Sequence, residues 1–269
     1  MELERLTIEE IIDSIKNQRF FEAVDDKYGF YIKVESYTDR IAAAIHDGHQ
    51  LRPDLKDNCL LTDEERLYEE DPFTALFIKD QPVVIKGLDS RFEYDLNRGF
   101  EDAVYETAWG KQVWKTPLSA EQINLSREKY QRFYRAVDAL IGKLSSMHET
   151  PIMVYDIHSY NYKRWDRKVP ELNLGTSMLD RNKWKKQIDN YLSALEDNFP
   201  NFWVAENNTF FGKGGFLGHI QKNFHNVLVL ATEFGKYYCD ELTGRFYWEQ
   251  LEDTRRRLNS CLLKHDASF

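Results

Sequence analysis

The stretch that decides the fold is "NVLVLA", residues 226–231, an asparagine followed by an unbroken run of aliphatic residues. Such a short apolar run is typical of a strand that is buried on both faces of a sheet. The stretches "RIAAAI" at 40–45, "QPVVI" at 81–85 and "PIMVY" at 151–155 have a similar character. The sequence therefore predicts four buried strands that are spread along the chain.

Helical patterns lie between and around these strands. Residues 7–16 begin with a Thr-x-x-Glu capping box and carry isoleucines at helical spacing. Further helices are predicted over residues 120–147, 180–195 and 250–264. Strands that alternate with long helices indicate an α/β fold with a mixed, mostly parallel central sheet flanked by helices. Because no linker or repeat divides the chain, we predict a single domain over residues 1–269.

Composition narrows the class of protein. With 36 basic and 45 acidic residues the formal net charge is −9, so nucleic acid is not an expected partner. Three widely spaced cysteines form neither a zinc-knuckle pattern nor a disulfide framework. The charged N-terminus lacks the apolar core of a signal peptide, and no apolar run is long enough to span a membrane. We therefore expect a soluble, cytoplasmic protein with no membrane partner.

Candidate functional residues cluster at the carboxyl ends of three predicted strands. The first strand leads to His46, the third to Asp156 and His158, and the last to Glu233. In open α/β sheets, ligands bind beyond these strand ends. A single histidine after a strand is usually a structural residue, but three such ends together indicate a site.

These residue types suit a catalytic zinc ion. Such a site uses three protein ligands of the His and carboxylate type and leaves one position open for water. His46 and His158 are natural ligands, and Glu233 is a natural general base for that water. The candidates for the third ligand are His49, Glu70 and Asp71.

Two further segments carry polar residues that suit substrate binding. "DSRFEYDLNRG", residues 89–99, contains the adjacent pair Asn97 and Arg98, which could hold a carboxylate because guanidinium binds it bidentately. The alternative for Arg98 is a surface ion pair. "ENNTFFGKGGF", residues 206–216, lacks the full phosphate-loop pattern. It is either a flexible turn or a loop that covers the substrate, with Lys213 near an anionic group.

Together these segments resemble the N-formylglutamate amidohydrolases over about residues 40 to 240. "DLNR" and "IHSY" also look like segments of zinc carboxypeptidases, which are similar in fold. The residues after His46-x-Gly48 depart from the family pattern, so the resemblance implies the reaction class better than the substrate. The matching elements, in order, are His46-x-Gly48, Asp71, Ser90-Arg91, Asp95-Leu96-Asn97-Arg98, His158-Ser159, Asn173-Leu174-Gly175-Thr176, Gly214-Gly215 and Glu233.

The resemblance implies a phosphorylase/hydrolase-like, zinc carboxypeptidase-like α/β fold with one catalytic domain. It implies one zinc ion, or another divalent metal, held by His46 and His158, with Asp71 favoured over His49 and Glu70 as the third ligand. It implies that Glu233 is the general base. The substrate-binding residues predicted are Asn97, Arg98, Asn173, Thr176 and Lys213.

The leading interpretation is a zinc-dependent amidohydrolase that cleaves a small carboxylated amide, an N-acyl amino acid such as N-formylglutamate. Arg91 is expected to stabilise the oxyanion, and Asp156 either orients His158 or takes part in proton transfer. The alternative is a zinc carboxypeptidase-like peptidase or deacylase that acts on the C-terminal residue of a peptide. A non-catalytic binder and a structural protein with incidental histidines are the remaining alternatives.

Overall fold

A computed structural model describes residues 1–266 of the chain. The strands are β1 (Leu3–Leu6), β2 (Phe21–Asp25), β3 (Phe30–Val34), β4 (Arg40–Ala44), β5 (Val83–Gly87), β6 (Thr107–Ala108), β7 (Lys111–Gln112), β8 (Ile152–Tyr160), β9 (Leu172–Gly175), β10 (Val204–Glu206) and β11 (Val227–Gly235). The helices are α1 (Ile8–Lys16), α2 (Pro53–Lys56), α3 (Asp63–Glu69), α4 (Thr74–Ile78), α5 (Ala120–Met147), α6 (Lys185–Asn198), α7 (Gly215–Asn223) and α8 (Trp248–Asp266).

In the described part of the chain, nine strands form one mixed sheet in the order β1-β2-β3-β5-β4-β8-β11-β9-β10. Parallel pairs predominate: β1 with β2, β5 with β4, β4 with β8, β8 with β11, and β9 with β10. The antiparallel pairs are β2 with β3, β3 with β5, and β11 with β9. The predicted fold class, a mixed and mostly parallel sheet flanked by helices, is confirmed. The other two strands of the described residues, β6 and β7, form a separate antiparallel pair.

The centre of the sheet is covered on both faces. Every residue of β8 is buried, and every residue of β11 except Glu233 is buried, which requires packing against both faces of these strands. Helix α1 packs on α5, and α8 packs on α4 and α6. Helix α5 buries Phe133, Val137, Leu140 and Leu144, which lie on one face because of the helical repeat. These apolar contacts hold the central strands in place.

Several predicted elements match the structure closely. Helix α5 occupies the predicted residues 120–147, and Thr7 caps α1 through the predicted capping box with Glu10. The predicted helix over 180–195 is wrong at its start, since the helix begins at Lys185. Asp180 Oδ1 accepts hydrogen bonds from the backbone amides of residues 182 and 183, which form a turn before the helix. None of the helices in residues 1–266 is long and apolar enough to cross a membrane.

The strands that carry the candidate residues run further than the sequence predicts. Strand β8 continues to Tyr160 and β11 to Gly235, so His158 and Glu233 lie inside their strands rather than after them. The two residues are register partners across the β8–β11 pair. Because β4, β8 and β11 are adjacent and parallel, their carboxyl ends meet at one edge of the sheet, where His46 also lies.

Candidate metal centre

Two histidines and an aspartate come together at this edge. His46 follows β4 by two residues, His158 lies in β8, and Asp71 lies in the turn between α3 and α4. All three are buried, and one ligand-type atom from each lies within 4.8 Å of the others. The fold therefore brings together a group that could bind a metal ion.

The distances within this group fit a small divalent ion. Asp71 Oδ2 lies 3.4 Å from His46 Nδ1 and 3.0 Å from His158 Nδ1. Ligands that bind zinc tetrahedrally at about 2.0–2.1 Å are roughly 3.3 Å apart. Within residues 1–266, His46 Nδ1 is buried without a hydrogen-bond partner, a costly arrangement unless that nitrogen serves as a ligand. Two histidines and a carboxylate also leave a fourth position open.

A carboxylate behind His46 fixes its ring. Asp95 Oδ1 lies 2.7 Å from His46 Nε2 and accepts a hydrogen bond of 2.9 Å from the Asn97 amide, while Arg91 donates to Asp95 Oδ2 at 2.9 Å. Burial alone would raise the pKa of Asp95, but Arg91 and His46 hold it well below its usual range. Asp95 is therefore ionised and directs Nδ1 of His46 toward the metal group.

His158 lies between two carboxylates. Its Nδ1 hydrogen-bonds Asp71, and its Nε2 lies 3.0 Å from Asp156 Oδ2. Asp156 shares a face of β8 with His158, as predicted, because residues two apart in a strand point the same way. Burial would raise the pKa of Asp71, yet its hydrogen bond with His158 and its close contact with His46 lower that pKa below the ordinary value. Asp71 is thus a carboxylate that is ready to act as a ligand.

Glu233 faces the space beside the metal group. Glu233 is half-buried, and no hydrogen bond to its carboxylate is found within residues 1–266. Burial raises the pKa of Glu233 to about 8; His158 opposes this shift, while the nearby Asp71 and Asp156 add to it. A carboxyl group with such a pKa can exchange a proton near neutral pH.

Two cavities meet at this group. The first has a volume of ≈ 280 Å³ and the second ≈ 190 Å³. Asn97, Phe210 and Glu233 line both cavities. His158 lines the first, whereas His46 and Asp71 line the second. The metal group and Glu233 therefore lie where the two cavities join.

The two alternative third ligands lie outside the metal group. His49 Nδ1 and Ser90 Oγ both hydrogen-bond the carboxylate of Glu70, and His49 Nε2 lies 3.3 Å from Arg66. Glu70 follows the last residue of α3, and its side chain contacts His49. The side chain of the next residue, Asp71, instead contacts His46 and His158. Neither alternative is brought to His46 and His158, so we retain Asp71 alone.

The predicted carboxylate clamp is only partly assembled. Asn97 lines both cavities, but Arg98 lines neither of them. The Arg98 guanidinium lies 4.2 Å from the ring centre of Tyr105 and 3.4 Å from Asp95 Oδ2. Arg91, in contrast, lines the second cavity. Arg98 therefore combines an aromatic contact with an ion pair, but its partner is the buried Asp95 rather than an acid at the surface.

The predicted substrate residues of β9 support a loop instead. Asn173 Oδ1 accepts hydrogen bonds from the backbone amides of residues 208 and 209, and the backbone amide of Thr176 donates one to Asn207 Oδ1. Gly175 and Gly212 are in close contact, since a Cβ on Gly175 would lie 2.3 Å from the Gly212 nitrogen. This packing holds the loop over the first cavity, which Lys213 lines.

Two further polar residues of the site, Lys236 and Asn161, were not predicted from the sequence. Lys236 lies one residue beyond β11, and Asn161 one residue beyond β8. Both line the second cavity, and both donate to the carbonyl oxygen of Tyr68. Their position after buried strands is the only signal in the sequence that could have found them.

Comparisons with known proteins agree with this architecture. The family model described as N-formylglutamate amidohydrolase matches residues 39–234. The crystal structure of an N-formylglutamate amidohydrolase from Ralstonia eutropha JMP134 is similar, with a TM-score of 0.71 and 16% identity, covering 89% of this chain and 97% of that chain. A gene product from Agrobacterium tumefaciens has a TM-score of 0.68 and 15% identity, covering 87% of this chain and 95% of its own. A metallo-carboxypeptidase from Burkholderia cenocepacia is more distant, with a TM-score of 0.41.

No curated protein matches the chain significantly. The matched family region nevertheless covers well over half of the 269 residues. It contains His46, Asp71, His158 and Glu233. The chain therefore belongs to the N-formylglutamate amidohydrolase family and is a hydrolase that acts on amide bonds.

Proposed function

We propose that the protein is a zinc-dependent amidohydrolase that cleaves the amide bond of an N-acyl amino acid, with N-formylglutamate as the reference substrate. The observation that carries this proposal is the place of the metal group. His46, Asp71, His158 and Glu233 lie together at the junction of two cavities, where an amide with a group on either side would fit.

His46, Asp71 and His158 would hold the metal. When bound, zinc would lower the pKa of water and polarise the carbonyl group of the substrate. Zinc suits this donor set because two histidines and a carboxylate are among its usual catalytic ligands. Asp95 and Asp156 orient the two rings from behind, and we assign Asp156 this positioning role rather than proton transfer.

Glu233 is the group that moves the proton. Its carboxylate lines both cavities and so reaches the attacking water and the leaving nitrogen in turn. It takes the proton from the water as the water attacks the carbonyl carbon, and then gives it to the amine as the amide bond breaks. The raised pKa makes the protonated form stable enough to act as the acid in the second step.

Three side chains would bind the substrate. The Arg91 guanidinium faces the second cavity and would stabilise the negative charge that develops on the carbonyl oxygen. Lys213 faces the first cavity and would pair with the carboxylate of the amino acid, the task first given to Arg98. Asn97 lines both cavities and would contact the substrate at their junction. Its position is fixed because its backbone and side-chain oxygens accept hydrogen bonds from the first two backbone amides of α7.

The shape of the site favours a small substrate over a peptide. A peptidase or deacylase that acts on a chain end would need a long open cleft around residues 206–216. Instead, the loop is tied down over a cavity of ≈ 280 Å³ by Asn173 and Thr176. The alternative function therefore has no specific support in the structure.

A substrate panel tests the proposed function. Purified protein with added zinc should release amine from N-formyl- or N-acyl-L-glutamate, and a chelator should abolish this release. A dipeptide with C-terminal glutamate, assayed in parallel, should be cleaved much more slowly. Preferential cleavage of the dipeptide would support the peptidase instead, and hydrolysis that persists in full with chelator would contradict the metal-dependent mechanism.

A further inference from the structure

The second cavity has cationic groups that the hydrolysis step only partly uses. Arg91, Arg164 and Lys236 line it, together with the carboxylates of Glu69, Asp71 and Glu233. Arg91 is paired with Asp95 at 2.9 Å, and Arg164 is paired with Glu69 at 2.6 Å. Two of the three cations therefore have acidic partners within the protein.

Lys236 is a buried ammonium group without such a partner. Only 2% of the residue is exposed, and within residues 1–266 no carboxylate oxygen lies within 4.0 Å of its Nζ. Its Nζ donates one hydrogen bond, of 2.6 Å, to the carbonyl oxygen of Tyr68. An ammonium group has three donors, and buried donors without acceptors are unfavourable. Asp71, Glu69 and Glu241 lie near enough to act on its charge, but none of them pairs with it directly, so Lys236 has free donors beside the cavity.

A second polar group beside the same cavity also lacks a partner. Ser159 Oγ is buried and has no hydrogen-bond partner in the described part of the chain. Ser159 lines the second cavity together with Lys236. A hydroxyl group can donate to a carboxylate, as an ammonium group can. The two side chains together offer donors for one anionic group.

Two tryptophans form the outer part of this cavity. Trp109 and Trp165 are 40% and 36% exposed, and both line it. Trp109 has a φ of 50°, an unfavourable value for a bulky residue that is more common at functional sites than elsewhere. Aromatic rings at this position suit the methylene groups of an extended chain.

The size of the cavity exceeds what a formyl group needs. A formyl group has two heavy atoms, about the size of two water molecules, for which roughly 20–30 Å³ of cavity volume suffices. The second cavity measures ≈ 190 Å³. Arg91, which faces the developing oxyanion, lies on this side of the junction, whereas Lys213 lies on the other. The acyl half of the amide therefore belongs in the second cavity and the amino acid in the first.

We propose that the acyl group of the substrate is longer than formyl and ends in a carboxylate, which Lys236 and Ser159 bind. The substrate class is then N-acyl amino acids whose acyl group derives from a dicarboxylic acid. This inference rests on the proposed amidohydrolase function and specifies its substrate.

The experiment compares kcat/KM of the zinc-loaded enzyme for four L-glutamate derivatives: N-formyl, N-acetyl, N-succinyl and N-succinamoyl. The last two have the same length, but only the succinyl group carries a negative charge. The wild-type enzyme should prefer N-succinyl to N-succinamoyl by about 10- to 100-fold, as expected for a hydrogen-bonded charge pair. It should also prefer N-succinyl to N-formyl and N-acetyl.

Two variants connect this preference to the lysine. Lys236→Gln keeps a donor for the Tyr68 carbonyl but removes the charge, so the ratio of kcat/KM for N-succinyl over N-succinamoyl should fall close to one. Lys236→Arg keeps the charge and should retain much of the ratio. Lys163→Gln is the matched control, because Lys163 is exposed in a neighbouring segment and lines neither cavity, and it should leave the ratio unchanged.

The outcomes separate the two proposals. If the wild-type enzyme cleaves N-formylglutamate best and shows no preference for the charged acyl group, the substrate inference is wrong and the amidohydrolase proposal stands. If Lys236→Gln lowers activity on all four substrates equally, the lysine only ties down the Tyr68 segment, and the inference is again wrong. If no derivative is cleaved by protein that contains zinc, the proposed function fails and the inference fails with it.

Discussion

Replacing Glu233 by glutamine should lower kcat for amide hydrolysis by about 10²- to 10⁴-fold, the usual contribution of general acid–base catalysis. Glutamine has nearly the same shape but cannot accept and return a proton. Because Glu233 is not one of the three grouped ligands, the variant should bind the same amount of zinc as the wild-type protein. The measurement is steady-state kinetics alongside metal analysis of both proteins.

The pH profile gives this prediction a second readout. Without metal, the pKa of Glu233 is raised to about 8 from an ordinary value of 4.5, and a cation bound beside it would bring the value part of the way down. A base works only when deprotonated, so kcat/KM of the wild-type enzyme should fall as pH falls through that pKa. The residual activity of Glu233→Gln should lack this acidic limb.

A control variant and a contrary result define the test. Glu22→Gln changes a glutamate on β2 that hydrogen-bonds Tyr31, away from both cavities, and should retain full activity. If Glu233→Gln kept more than half of the wild-type kcat, Glu233 could not be the proton carrier.

Asp71→Asn should remove most of the bound zinc and nearly all of the activity. The substitution takes one of three ligands and its negative charge from the group, and the neutral amide oxygen is a weaker ligand. Residues that only support metal ligands contribute about 10- to 100-fold to metal affinity, so we expect a loss of affinity beyond about 100-fold for the ligand itself. Competition with a chromogenic chelator measures this affinity directly.

The neighbouring residue provides a matched control. Glu70→Gln makes the same chemical change one position earlier, on a carboxylate that hydrogen-bonds His49 and Ser90 rather than the histidines of the group. We expect this variant to retain zinc, although it loses stability because Glu70 and its partner Ser90 are buried. Loss of zinc in Glu70→Gln with retention in Asp71→Asn would show that the third ligand was assigned to the wrong residue.

The parts of this site that could be predicted from the sequence depend on strand geometry. Buried strands are visible as apolar runs, and parallel neighbours end at the same edge of a sheet. His46, His158 and Glu233 can therefore be grouped from the sequence alone. The predicted lengths of the strands were wrong, since β8 and β11 continue through His158 and Glu233. These two residues are register partners in the strand pair.

The parts that could not be predicted depend on side-chain direction in irregular segments. Glu70 and Asp71 are adjacent acids, and only the end of α3 and the following turn, with Phe73 at a φ of 69°, decide which one faces the histidines. Arg98 has the chemistry of a carboxylate clamp, but its guanidinium packs against Tyr105 instead. No pattern in the sequence encodes either choice.

The supporting residues show the same limit. Asn173 and Thr176 are polar residues at the end of a strand, as binding residues often are, yet their hydrogen bonds go to the loop over the first cavity. Lys236 carries no distinctive signal in the sequence, because a lysine after a strand is usually a solvated residue. Its burial beside a cavity is a property of the packed fold.

The central claim is that His46, Asp71 and His158 hold the metal ion on which amide hydrolysis depends. The most direct test is to strip the protein of metal and measure amide hydrolysis while zinc is added in known amounts. We predict negligible activity in the stripped protein and a linear rise that ends at one zinc per chain, with no rise in His158→Ala. Full activity in the stripped protein, or an unchanged response to zinc in His158→Ala, would contradict the claim.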